Sequence, residues 1–208
     1  MRSRARSGLL GLDEHRSERQ RLLPFITRWA MMRPMATAVE DQLELLLAER
    51  AIACVLHSYS RGADRCDLEL MRSCYWPDGT DDHGSYNGGV DGFIEFVGPA
   101  LQRFERTNHF LGNMLIDVDL PRDLARAETY AVAFHRFGDA DGDPVDMVAG
   151  LRYVDRFERR SGEWRIAARV CAFEWRRTDP VAAAGSSFAD TYTRGLRGPD
   201  DIVWHILD

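Results

Sequence analysis

Residues 108–119 (NHFLGNMLIDVD), 125–137 (ARAETYAVAFHRF), 145–159 (VDMVAGLRYVDRFER) and 163–177 (EWRIAARVCAFEWRR) decide the fold. Each alternates or runs apolar over strand length, and turn material separates them at LPRD, DADGD and RRSGE. That pattern predicts four long strands in meander order. Upstream, Val39, Leu43, Leu46, Leu47, Ile52, Val55, Leu56 and Tyr59 fall near the 3.6-residue period of an amphipathic helix over about residues 39–63. Asp67 sits where an N-cap would, before a short helix carrying Leu68, Leu70, Met71 and Tyr75, which Pro77, Asp78 and Gly79 are expected to stop. TDDHGSYNGG reads as one short strand and a turn. Val90 to Arg106 reads as a third helix that Pro99 should kink or shorten. Helices gathered at the front and strands behind predict an α+β domain: a curved antiparallel sheet wrapped around the N-terminal helices, a cone with a hollow between the two layers.

Outside residues 38–180 the pattern weakens. The arm, residues 1–37, holds eight arginines against Asp13, Glu14 and Glu18 up to residue 35 and has no apolar run ending in a cleavage site. Disorder, or a translation start placed too far upstream of Met31, Met32 and Met35, are the two readings of it. The tail, residues 181–208, is aperiodic, yet Ile202, Val203, Trp204 and Ile206 are apolar enough to predict a lid or an oligomer contact.

Composition excludes several function classes. All the basic charge is arginine, and the net charge of −6 argues against a nucleic-acid binder. No window nears the ~18 uninterrupted apolar residues of a membrane span, so a soluble, cytoplasmic protein is expected. Cys54, Cys66, Cys74 and Cys171 form no CxxC pair and read as buried reduced thiols. Asp81, Asp82 and His83 are adjacent on a strand and point to alternating faces, which argues against a metal site. There is no Gly-rich nucleotide loop and no GxSxG turn. Cofactor-free chemistry, or none, is what remains.

The runs AIACVLHSYSRGADRCDLELMRSCYWPDGTDDHG, TNHFLGNMLIDVD and AGLRYVDRFERRSGEWRIAARVCAFEW resemble, in order and separation, the SnoaL-like branch of the nuclear-transport-factor-type superfamily. That branch includes scytalone dehydratase, bile-acid dehydratase and hexachlorocyclohexane dehydrochlorinase. The resemblance covers about residues 40–178 and implies a cone-shaped α+β barrel, cystatin-like in outline, that usually pairs or trimerises through its convex face. Its lyases use a Tyr-x4-Asp at the end of the first helix and a His on the first long strand. In this chain those positions are Tyr59, Asp64 and His109. The resemblance implies that Asp64 orients and charges the imidazole, that His109 removes a proton from substrate carbon, and that Tyr59 assists the leaving hydroxyl or polarises a carbonyl. Arg165 matches a ligand-contact position in one relative.

The chemistry asks for these residue types on its own account. An elimination needs a base poised near neutral pH and a donor for the departing oxygen; a carboxylate on the second ring nitrogen fixes the tautomer. Tyr59 and Asp64 are five apart, about 140° around an ideal helix, so sharing a cavity requires the helix to end or bend near Gly62. The residues also allow plainer readings: Asp64 paired with Arg61 or Arg65, His109 a satisfied strand histidine, Tyr59 in the core. His83 is a candidate second donor and His135 a candidate cavity residue. Trp76, Phe110, Tyr153 and Trp175 are candidate wall or core. The expected function is a cofactor-independent lyase or isomerase for a small apolar, aromatic or steroid-like ring compound. The alternative is a non-catalytic binding protein or a module like the small subunit of ring-hydroxylating dioxygenases.

Overall fold

The computed structural model describes residues 38–181, 189 and 191–205. The expected arm lies outside the described residues, as do Ile206 and most of the stretch 182–190. The chain divides into two compact units, up to Glu44 and from Leu45 onward. Of the first, residues 38–44 are described: the opening turns of helix α1 (Val39–Arg65), with Val39 and Leu43 exposed.

The second unit continues α1 and adds α2 (Leu68–Ser73), β1 (Tyr75–Asp82), β2 (Asn87–Gly89), α3 (Val90–Arg103), β3 (Arg106–Asp119), β4 (Leu124–Gly138), β5 (Pro144–Arg160) and β6 (Glu163–Pro180). The sheet is curved and open, in the order β2-β1-β6-β5-β4-β3. Strands β3 to β6 form the expected antiparallel meander. The β5–β6 hairpin closes on Ser161-Gly162, both at positive φ, the two-residue turn whose twist matches that of the strands. The sheet is nevertheless mixed, because β1 runs parallel to β6 and antiparallel to β2. No hairpin joins β1 to β6, so nothing in the connection forces them antiparallel.

The expected stop signal Pro77-Asp78-Gly79 does less than the sequence leads one to expect. Helix α2 ends at Ser73, and Pro77, Asp78 and Gly79 lie inside β1. There the register against β6 slips between Tyr75 and Thr80, a bulge in which the N–H that proline lacks is not needed for the ladder. Pro99 sits within α3, which ends at Arg103 rather than at the expected Arg106.

The core is built by period. Ala48, Ile52, Leu56, Tyr59 and Ala63 line one stripe of α1 and join Phe93 and Leu101 of α3 against Ala127, Ala131, Leu151, Phe157 and Ile166 of the sheet. Each fully buried Leu, Ile or Phe stabilises by about 1.5–3 kcal/mol relative to exposure. Ala125, Ala127, Ala131, Ala133 and Ala149 keep the inner face of β4 and β5 shallow. Gly62 does not end α1, which runs on to Arg65. It lets α2 approach: a Cβ there would lie 2.7 Å from Met71 Cγ and 3.0 Å from the Asp67 carbonyl oxygen. Of the cysteines, Cys74 and Cys171 are buried, Cys66 is half-buried, and Cys54 is exposed, on the side of α1 turned away from the core. Among the described residues no helix is long and apolar enough to cross a membrane.

Candidate active site

Helix α1 stops in a way that fixes Asp64. Cys66 takes a left-handed conformation (φ 54°), its N–H bonds the Ala63 carbonyl, and the Asp67 N–H bonds the Gly62 carbonyl at 2.9 Å. This pair of turn-back bonds is the common helix-ending motif, here with cysteine where glycine is usual. Asp64 is thereby held in the last helical turn, facing the start of β3.

There it meets His109 twice. Asp64 Oδ1 lies 2.7 Å from His109 Nδ1, and Oδ2 accepts the His109 main-chain N–H at 2.9 Å. The two side chains are 11% and 9% exposed, so the pair is shielded from water. Burial alone would raise the Asp64 carboxyl, but hydrogen bonds from His109 and Thr107 and the charge of the imidazole hold it below the ordinary carboxylate range. With the carboxylate on Nδ1, the ring is set to carry its proton there and to leave Nε2 as the base. Tyr59, five residues back, points elsewhere, as the helical angle requires. It stacks edge-on to Tyr75 and Tyr153.

His109 opens onto a cavity of about 450 Å³ lined also by His83, Ala133, His135, Met147, Ala149, Leu151, Tyr153, Phe173 and Trp175. Register explains the hollow: His109, Ala133, Ala149 and Arg176 form one row across β3–β6, and two alanines side by side leave floor where larger residues would fill it. Glu174 and Arg176 also line it; the rest of the wall is imidazole or apolar, a composition suited to small organic ligands. His83 follows β1 and stacks on Phe93 with ring centroids 5.0 Å apart. Its Nδ1 lies 3.1 Å from Asp81 Oδ1 and 3.2 Å from Cys171 Sγ. Asp81 is fully buried and accepts the Tyr75 hydroxyl at 2.6 Å. Alternation thus sends Asp81 inward, while Asp82 accepts the Gly84 N–H and an Asn87 amide N–H beside the turn.

Of the residues singled out from sequence, His109, His83, His135, Tyr153 and Trp175 line the cavity, with Asp64 behind His109. Tyr59, Trp76, Phe110 and Arg165 are not among its lining residues. Phe110 follows His109 and so faces the other side of the sheet, 68% exposed, beside Tyr130, Val132 and Arg152. Trp76 bonds the Glu158 carbonyl and lies under Arg160 and Arg165 on the bulge of β1.

Sequence reasoning missed three things. Ala133, Met147, Ala149, Leu151 and Phe173 give the cavity its shape, and only strand alternation hinted at them. Arg169 and Asp155 form a fully buried, two-bonded ion pair at 2.7 and 2.8 Å. The Arg169 guanidinium lies between the rings of Tyr59 and Tyr153, 4.2 and 4.1 Å from their centroids. Burial opposes its charge, but Asp155 keeps it protonated. Arg197, from the aperiodic tail, donates to the carbonyls of Ala63 and Asp64 at the end of α1 and of Leu101 and Phe104 at the end of α3. Arg65 pairs with buried Asp201 and Arg61 lies over Trp204, so the described tail docks on the helix end that carries Asp64.

The model of the SnoaL-like domain matches residues 44–170. The chain belongs to the SnoaL-like family. Among curated proteins none matches it. Solved structures with the same fold include a candidate scytalone dehydratase from Novosphingobium aromaticivorans. It has 19% identity and a TM-score of 0.57, with 74% of this chain and 93% of that one covered. A type 2 hexachlorocyclohexane dehydrochlorinase matches with 16% identity and a TM-score of 0.59, covering 72% and 99%. A Mycobacterium tuberculosis protein of unknown function matches with 21% identity and a TM-score of 0.53, covering 76% and 86%. At these identities the likeness establishes the fold of this SnoaL-like protein and not its substrate.

Proposed function

We propose that this SnoaL-like protein is a cofactor-independent lyase of the dehydratase kind, or an isomerase, acting on a small apolar ring compound that bears a hydroxyl or carbonyl group. One observation carries the reading: His109 fronts a largely apolar cavity with Asp64 clamped to its far ring nitrogen and to its main chain. A histidine whose tautomer is fixed by a shielded carboxylate suits proton abstraction near neutral pH. The names of two structural relatives, a dehydratase and a dehydrochlorinase, both denote eliminations, the second from a cyclohexane.

In this reading His109 Nε2 takes a proton from substrate carbon. The C–H electron pair becomes the new double bond, the bond to the departing oxygen breaks with its own pair, and that oxygen leaves as water on receiving a proton. His83, on the same cavity and hydrogen-bonded to Asp81 through Nδ1, is assigned as the donor. Tyr59 is given a supporting place behind Tyr153: burial holds its hydroxyl well above the ordinary phenol range, so it stays a neutral O–H. The reading includes a cytoplasmic location and assembly as a homodimer or homotrimer through the outer sheet face, supported by exposed Phe110, Tyr130 and Val132.

The test is a thermal-shift screen of hydroxylated and carbonyl-bearing ring compounds, since a ligand that binds only the folded state must raise its stability. Hits are then incubated with native protein and with His109→Ala. Loss of water or double-bond migration in the native sample, absent in the variant, is expected. A compound bound by both proteins and altered by neither would instead make this a binding protein.

A further inference from the structure

His135 stands on β4, across from Thr107 of β3 and Met147 of β5, one row away from His109 and Ala133. Its ring lies perpendicular to that of His109, centroids 5.4 Å apart, and against Phe104 at 4.6 Å. The residue lines the cavity, yet its Nδ1 is buried and finds no hydrogen-bond partner among the described residues. Of two ring nitrogens, Nε2 is therefore the one left to meet whatever fills the cavity.

The position of its proton follows from cost. A buried N–H with no acceptor forfeits a hydrogen bond, about 1–3 kcal/mol, and orphaned buried N–H groups are rarer than under-used acceptors. The proton therefore belongs on Nε2, where cavity water or a ligand oxygen can accept it. Nor does the ring become a cation near neutral pH. Burial, seconded by His109, lowers it to about 4; Arg197 and His83 push the same way and Asp64 opposes. A neutral imidazole N–H beside a base is matched to an oxygen that gains negative charge as the base works.

We infer that His135 is a neutral hydrogen-bond donor that holds a carbonyl oxygen of the bound ring compound next to the carbon from which His109 takes its proton. The inference rests on the ligand class and dyad proposed above and adds the part of the ligand that faces β4. When His109 removes the proton, the C–H pair enters a carbon–carbon π bond, the carbonyl π pair moves onto oxygen, and the His135 N–H stabilises that enolate oxygen without transferring its proton.

Two measurements test it. Without ligand, long-range nitrogen–proton NMR of the imidazoles is expected to show His135 neutral and protonated on Nε2 from pH 5 to 8. A ring protonated on Nδ1, or charged in that range, overturns the inference whatever the cavity binds. With ligand, 1-tetralone and tetralin differ only in the carbonyl, and their affinities are compared by calorimetry. The native protein is expected to favour the ketone three- to tenfold, the worth of one hydrogen bond. His135→Phe should abolish that preference and His135→Gln, which keeps an N–H, should retain part of it. An equal preference in native protein and His135→Phe overturns the inference alone. Failure of both probes to bind removes the proposed ligand class, and His135's partner with it.

Discussion

Asp64 grips His109 by two different groups, the ring nitrogen at 2.7 Å and the main-chain N–H at 2.9 Å. One carboxylate thus sets both where the imidazole sits and which nitrogen faces the cavity. Asp64→Asn is nearly isosteric but can donate as well as accept, so the tautomer of His109 is no longer fixed. Nitrogen NMR of the imidazoles is expected to show mixed His109 tautomers in the variant and one in the native protein. The folded carboxyl lies below the unfolded value near 3.9. Its contribution to stability is therefore whole above that value and lost as pH falls through the lower folded one; Asp64→Asn should flatten the acid limb of denaturation.

His135 supplies a separate pH dependence of the same sign. Its unfolded value is near 6.5 and its folded value about 4, so between those pH values the unfolded chain binds a proton that the folded chain refuses. Stability should fall by roughly 2–3 kcal/mol from pH 7 to pH 4 on this account. Urea denaturation of His135→Phe is expected to lose that part of the slope; an unchanged slope would mean that the ring is not desolvated as the packing implies.

Breaking the Arg169–Asp155 pair leaves one buried charge alone. Asp155→Ala and Arg169→Met should each cost about 3–5 kcal/mol, whereas Arg169→Met combined with Asp155→Leu should recover most of it, since a buried ion pair is worth little more than a well-packed apolar pair. Chemical denaturation of the three variants decides. If the double variant is as unstable as the singles, the guanidinium between Tyr59 and Tyr153 contributes more than charge balance.

Arg197→Met removes a cation from two helix C-termini. A loss of about 1–2 kcal/mol is expected, together with faster amide exchange at Arg65, Cys66 and Asp67, where the turn that holds Asp64 closes. Protection unchanged at those amides would show that the tail only rests on the helix end.

Assembly is checked on the outer face. Sedimentation at micromolar concentration should give a homodimer or homotrimer, and Val132→Arg, placed among Phe110, Tyr130 and Trp175, should shift it to monomer without lowering monomer stability by more than about 0.5 kcal/mol. A native monomer would refute the proposed assembly.

The four long strands were legible because alternation over a dozen residues is hard to produce otherwise, and both the amphipathic period of α1 and the Asp67 cap were local signals. Asp64 and His109 stood out as residue types suited to the chemistry, at positions a family resemblance supplied. Phe110 illustrates where such reading stops: beside His109 in sequence, it faces the opposite side of the sheet. Pro77 illustrates the opposite error, since a bulge in β1 absorbed a residue that local rules read as a break.

The sequence by itself determined the four long strands, the first and third helices and the order in which they follow, because these depend on the spacing of side chains along one segment. Only the tertiary structure decided that Asp64 reaches His109 across 45 residues, that Ala133 and Ala149 fall side by side beneath a cavity, and that Arg169 and Arg197 find their partners. Those contacts depend on strand register and on how closely α1 and α2 approach the sheet and each other, quantities set by packing between segments that no single segment encodes.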